Sequence, residues 1–281
     1  MKTMWKVLAA GMAIAAVVGL SGCGGADPSK EPSGNSGQGA LLKQIKERGR
    51  LVVGTASGYP PYEFVDTSAG DKKVVGIDMA FARKIADKLG VKLEVQDMNF
   101  QALLASLAGG KVDVAIAGIN ATDERRKTMD FSAEYLPIGQ MAIIRKTDAA
   151  KYKTLDDLSG KTIGVQKSTT QEEVARQDIK NANIVALSHV PEVILELKQG
   201  KLDAVIAEGI VGKQYLVYNE DLQFSEVVFP DSVKASSVAL PKGNDDLKQI
   251  INEVIKENTD NGNFEKWTDE YSKKAVENAG K

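Results

Sequence analysis

The sequence predicts an α/β fold of two lobes, each a mostly parallel sheet flanked by helices, joined by a two-strand hinge. Three observations carry that prediction. From Leu41 onward, short apolar runs alternate with segments of helical period. A strand–helix–strand unit of the first half recurs in the second. The closing stretch is too short for a third domain, so it returns to the first lobe.

Leu51-Val52-Val53-Gly54 is an apolar run expected of a buried parallel strand. Asp78 is expected as the N-cap of a helix whose apolar face is Met79, Ala82, Ile85, Ala86 and Leu89, with Gly90 as its stop. Val91, Leu93 and Val95 alternate as a strand. Leu103, Leu104 and Leu107 mark the next helix, closed by Gly109-Gly110, and Val112, Val114 and Ile116 the next strand. The repeat rests on Gly110-Lys111-Val112-Asp113 and its counterpart Gly200-Lys201-Leu202-Asp203. Val52-Val53-Gly54-Thr55 pairs upstream with Ile163-Gly164-Val165-Gln166. Ser236–Leu240 is a strand, and Leu247, Ile250, Ile251, Val254 and Ile255 form a helical stripe. The first lobe is therefore expected over 41–146 plus 234–281 and the second over 147–233. The chain would cross near Ala142–Lys146 and again near Val233–Ala239. A cleft between two such lobes is a common ligand site.

The chain has 281 residues, a net charge of −2, one cysteine and one histidine. Near-neutral charge argues against a nucleic-acid partner. No intramolecular disulfide and no Cys/His metal cluster can be built, and neither metal nor cofactor is expected. The sole cysteine closes the start of the chain. Lys2 and Lys6 precede an apolar run from Val7 to Leu20, as in a signal peptide over 1–22. Leu20-Ser21-Gly22-Cys23 resembles the bacterial lipobox, which implies export and lipidation of Cys23. A short membrane anchor with an incidental cysteine is the alternative. Residues 24–40 are rich in Gly, Ser, Pro and charge and are expected to be a flexible tether.

In open α/β sheets, ligands bind at the carboxyl ends of the strands. That rule selects the loop after Thr55, the stretch from Ala117 to Arg126, the segment Gln166–Gln171, and Glu208. Thr122 is expected to cap a helix whose first turn holds Arg125, a poor place for a cation unless it serves an anionic ligand. Amides at the helix start around Thr169 and Thr170 also suit an anion. Glu208, at a strand end, could hold an ammonium, and Tyr59 and Phe100 could sandwich a side chain. Together these describe a receptor for a zwitterion.

The segments from Val53 to Phe64, Gly76-Ile77-Asp78, Ala117 to Lys127, Gly164 to Thr170 and Asn261 to Trp267 resemble the polar amino-acid-binding proteins of ABC importers. This group includes glutamine-, histidine- and arginine-binding proteins and has the periplasmic-binding-protein fold. The resemblance implies that Arg125 and Thr170 hold the ligand carboxylate, and that Gly118, Asn120 and Glu208 hold its ammonium. Tyr59 and Phe100 would stack on the side chain, while Gln166, Thr169 and Gln171 line the second lobe. Ala56 stands where many relatives carry an acid, Asn120 where Ser or Thr is common, and Glu208 where Asp is usual. The expected function is capture of a basic or neutral polar amino acid by hinge closure for a membrane permease. The protein would act as a lipid-anchored monomer on the outer face of the cell membrane or in the periplasm, and not as an enzyme. A cyclohexadienyl or arogenate dehydratase on the same fold is the alternative, with Glu208 or Glu63 as its acid.

Overall fold

The computed structural model describes residues 39–68, 72–230 and 234–279. The leader, Cys23 and the tether up to residue 38 lie outside the described residues. Helix α1 (Ala40–Arg48) is the first element of the described residues, and it includes Ala40, the last residue assigned to the tether. Strand β1 (Arg50–Thr55) follows, then a short hairpin of β2 (Phe64–Asp66) and β3 (Lys73–Val75). Next come α2 (Ile77–Leu89), β4 (Lys92–Asp97), α3 (Phe100–Ala108), β5 (Val114–Ala115) and the single turn α4 (Asp123–Arg126). A long β6 (Met129–Ile138) leads directly into β7 (Gln140–Arg145). The second half runs β8 (Thr162–Gln166), α5 (Thr170–Asp178), β9 (Asn183–Leu187), α6 (Val190–Lys198), β10 (Ala204–Glu208), α7 (Gly209–Tyr218) and β11 (Leu222–Phe224). Then β12 (Lys234–Pro241), α8 (Asp245–Asp260) and α9 (Asn263–Ala279) close the chain.

Two five-stranded sheets result, ordered β4-β1-β5-β12-β6 and β11-β7-β10-β8-β9. Each has a parallel trio, β4-β1-β5 and β10-β8-β9, to which antiparallel strands are added. Alternation along β1 explains how the first sheet is covered on both faces. Leu51 and Val53 pack with Ile77, Phe81, Ile85, Leu247 and Ile251, whereas Val52 faces Leu103 and Leu107. In the second sheet Ile163 and Val165 pack with Ala175 on one face, and Val205 and Ala207 with Val193 and Val211 on the other.

The division at residue 146 is corrected by β7. Gln140–Arg145 pairs antiparallel with β10 and β11, so it belongs to the second sheet. The first crossing therefore falls at Gly139, not within Ala142–Lys146. The apolar run Met141–Ile144 gave no sign of this, because it suits either sheet. The second crossing lies between β11 and β12.

The internal repeat is visible atom by atom. The amide of Asp113 donates to Val52 O (2.8 Å), and the Asp113 carboxylate accepts from the Val52 amide (2.7 Å) and from Arg48. In the second lobe the Asp203 amide donates to Thr162 O (2.8 Å), and its carboxylate accepts from the Thr162 amide (2.9 Å) and the Tyr152 hydroxyl (2.8 Å). Val52 therefore corresponds to Thr162, one residue before the pairing read from the sequence. The glycines agree. A Cβ on Gly54 would meet Leu103 and Val112, and one on Gly164 would meet Val193 and Leu202. Both are notches where a helix closes on its strand.

Candidate functional site

The carboxyl ends of β1, β5 and β8 converge on a pocket with about 310 Å³ of empty space. Its wall from the first lobe consists of Ala56, Tyr59, Glu63, Phe100, Ala117, Gly118, Asn120 and Arg125. The second lobe supplies Gln166, Thr169, Thr170 and Gln171. Nearly every residue selected from the sequence thus lies on one surface. Glu208 is the exception, discussed below.

Arg125 owes its position to a cap. Thr122 accepts from the Arg125 amide (3.3 Å), starting the single-turn helix whose inner face carries the guanidinium into the pocket. That guanidinium is 8% exposed and lies 5.3 Å from the centre of the Phe100 ring. It donates to Asn120 O (2.9 Å) and, across the cleft, to Ser168 O (3.0 Å). Two of its five N–H donors are so engaged among the described residues. Burial lowers the Arg125 pKa only against a very high starting value, so it stays cationic. Phe100 therefore has a neighbour the sequence did not predict, because it faces Arg125 as well as the pocket. Asn99 fixes that ring by capping α3.

On the second lobe Thr169 is the N-cap of α5. Its hydroxyl donates to Gln166 O (2.6 Å) and accepts from the Glu172 amide (3.3 Å). Ser168 before it has φ +66, a left-handed conformation uncommon for serine, and its carbonyl meets Arg125. Thr170 donates to Asn120 Oδ1 (2.8 Å), a second direct bond between lobes. The Asn120 Nδ2 donates to Ala235 O on β12 (3.1 Å), so its amide ties first lobe, second lobe and hinge together. Gln166 Nε2 donates to Ser188 O (3.2 Å), while Gln171 is buried on the pocket wall. Gly118 has φ +56, and a Cβ there would press on the Tyr59 ring at 3.2 Å. Only glycine serves both needs.

Beneath the pocket lies a group of buried carboxyls. Asp78 is not the N-cap it was expected to be: α2 starts after Gly76, and Asp78 sits fully buried in its first turn. It accepts from the Gly118 amide (2.8 Å) and the Tyr135 hydroxyl (2.8 Å), so it holds the ligand loop in place. Burial pushes its pKa up to about 6 against those two bonds and a third with the Glu63 carboxyl. Glu208 does not line the pocket. It sits at the end of β10, 1% exposed, and accepts from the Tyr62 hydroxyl across the lobes (2.9 Å). Burial, partly offset by that bond and reinforced by the Asp78 charge, pushes it up to about 8. Glu63 does line the pocket, 1% exposed, and its pKa is raised by burial first and by Asp78 next. Oε2 of both Glu63 and Glu208 is buried without a hydrogen-bond partner among the described residues. No cation is among the groups that shift these three carboxyls. Burial without a cationic partner favours the protonated form of such carboxyls.

The sequence raised Glu63 only as a possible general acid. The available signal was its place, a lone carboxylate between Tyr62 and Phe64 in the loop that leaves β1.

A buried arginine and a buried carboxyl on one pocket wall, closed over by a second lobe, define a receptor for small amphoteric solutes. The chain belongs to the bacterial extracellular solute-binding proteins, family 3, which it matches over residues 51–274. It is 33% identical over 261 residues to the L-cystine-binding protein TcyJ of Escherichia coli K12, covering 91% of this chain and 92% of that one. The arginine-binding extracellular protein ArtP of Bacillus subtilis is 33% identical over 219 residues, with 77% of this chain and 84% of ArtP covered. The crystal structure of the substrate-binding protein AbpA of Streptococcus pneumoniae bound to L-arginine superposes with a TM-score of 0.81 at 35% identity. That match covers 83% of this chain and 99% of AbpA.

Proposed function

We propose that the protein captures a basic amino acid, L-arginine foremost, outside the cytoplasm and delivers it to an ABC-type permease. The observation that carries this reading is Glu63, a buried carboxyl on the wall of the same pocket as Arg125, with one oxygen that meets no N–H or O–H donor among the described residues. Arg125, with Thr170 and the amides at the start of α5, takes the ligand carboxylate. Glu63 takes the guanidinium, and Tyr59 and Phe100 flank the aliphatic stem. Glu208, one layer back and held by Tyr62, compensates the ammonium. With a neutral polar ligand such as glutamine Glu63 would keep the proton that burial and Asp78 favour, so only a cationic side chain draws a charge-assisted bond from it. The arginine-bound AbpA structure supports the choice, and TcyJ makes cystine the competitor to test.

Closure excludes water and strengthens these charge-assisted bonds. The permease then selects the closed form. The lipobox at Leu20–Cys23 supports anchoring by a lipid on Cys23, with residues 24–38 as tether. We divide the folded part at the two crossings, with β7 through β11 in the second lobe and the remaining strands in the first.

A second reading has one observation in its favour. Glu208 near pKa 8 holds a proton at neutral pH, as the acid of a dehydratase must. Its bond to Tyr62 and its place behind the wall favour binding over turnover. One experiment tests both readings: calorimetric titration of protein unfolded and refolded to strip ligand. Saturable binding of arginine above lysine, histidine, glutamine and cystine is expected. Silence from every amino acid together with consumption of prephenate or arogenate would replace the receptor with an enzyme.

A further inference from the structure

We propose that Tyr215 and Gly58 form a latch between the lobes, outside the ligand pocket, that sets how long a ligand is held without selecting among ligands. The proposal rests on the reading of closure around an amino acid. Tyr215 stands on α7 of the second lobe, and its hydroxyl donates to Gly58 O in the first (2.8 Å). Gly58 lies in the loop leaving β1. Its φ of +95 is natural for glycine alone, and a Cβ there would meet Pro191 Cδ at 3.3 Å. The loop backbone thus rests on the second lobe at two points, the start of α6 and the middle of α7.

The loop is firm on its own side. The Ser57 amide and hydroxyl both donate to Asp97 (2.8 and 2.5 Å), and the Tyr59 amide donates to Glu63 O (2.9 Å). A contact at Gly58 therefore acts on a rigid element. Neither Gly58 nor Tyr215 lines the pocket, whereas Tyr59 does. The Tyr215 ring packs into the same apolar cluster as Tyr59 and Tyr62. Burial raises the phenol's pKa, so the donor persists over the ordinary pH range.

The other direct bonds between lobes behave differently. Arg125 to Ser168, Thr170 to Asn120 and Tyr62 to Glu208 all involve groups that face or support the ligand. The bond from Tyr215 touches no ligand atom, so its contribution to the closed form is common to every ligand. A closed-state contact of this kind slows opening and leaves encounter untouched.

The test compares the full chain with its Tyr215→Phe variant, which keeps the ring and removes the hydroxyl. Stopped-flow dissociation and calorimetric titration are run with L-arginine and L-lysine. The net worth of one neutral hydrogen bond predicts dissociation about three- to tenfold faster. The factor should be the same for both ligands, with the association rate kept. Gly58→Ala should act in the same direction, and the double variant should lose less than the sum of the two single losses, because both break one contact. An unchanged dissociation rate, or a change confined to one ligand, would overturn the latch. Where the wild type takes arginine alone, the arginine rate decides. A wild type that binds neither probe removes the proposed function and the latch together, whereas normal wild-type binding with an unaltered variant removes the latch alone.

Discussion

Replacing Glu63 by glutamine keeps the side chain's shape and removes its charge. Glu63 is 1% exposed, lines the pocket, and has an oxygen that meets no N–H or O–H donor among the described residues. In the bound state a guanidinium would lose its buried counter-ion while keeping its own charge. Truncating one partner of such a pair costs ~2–5 kcal/mol, a factor of roughly thirty to several thousand in affinity. Glutamine as ligand has no charge to strand, and at most one neutral hydrogen bond changes, worth about tenfold or less. The ratio of arginine to glutamine affinity should therefore collapse. A second signature follows from the charges already present. Burial and Asp78 both press Glu63 toward its neutral form, so the stripped variant should melt no lower than stripped wild type. Calorimetric titration with both ligands and a thermal scan read the two effects. Arginine affinity within about threefold of wild type, less than one charged hydrogen bond is worth, would refute the assignment of Glu63 to the guanidinium.

Three further outcomes are expected. Arg125→Ala should abolish measurable amino-acid binding, a loss of ~2–5 kcal/mol, with an unchanged circular dichroism spectrum; a variant binding within a few-fold of wild type would overturn its role. The stripped protein should lose stability as pH rises from about 4.5 to 8, because native Glu208 keeps a proton that the unfolded chain has already released. Asp78 adds to this between about 3.8 and 6, and scanning calorimetry at the two ends of the window should find the slope much reduced once arginine is bound. Asp203→Ala leaves the Thr162 amide and the Tyr152 hydroxyl without their acceptor, which should cost ~1–3 kcal/mol in urea unfolding. An unmoved midpoint would mean that the corner is ornamental.

The parts of this molecule legible in its sequence are those fixed by local chemistry. The caps at Thr122 and Thr169 place Arg125 and Thr170, and both read directly from residue type and spacing. The repeat was also legible, and aligning Gly54 on Gly164 would have given its register, since both notches answer a helix side chain. What escaped depends on partners far along the chain. Glu208 ends a strand and Glu63 lies in the loop after one, yet Glu208 bonds to Tyr62 behind the wall while Glu63 stays on it. Asp78 was taken for a cap because nothing nearby announces that Gly118 and Tyr135 both come to it. The membership of β7 was hidden because an apolar run does not declare which sheet it joins.

The place of β12 has a consequence for how the chain acquires its structure. The second sheet is made from one continuous stretch, 140 to 224, and can form as soon as that stretch is available. The first sheet cannot. β12 lies between β5 and β6, so until residue 241 has arrived their facing edges stay unpaired and the sheet remains in two pieces. Closing it joins strands about a hundred residues apart, which is slow because loop closure precedes any reward. A chain emerging in order from its N-terminus therefore keeps its first half unfinished to the last. For a polypeptide threaded through a narrow channel before it folds, that delay is protective: premature locking of the leading lobe is prevented by a strand that has not yet been delivered.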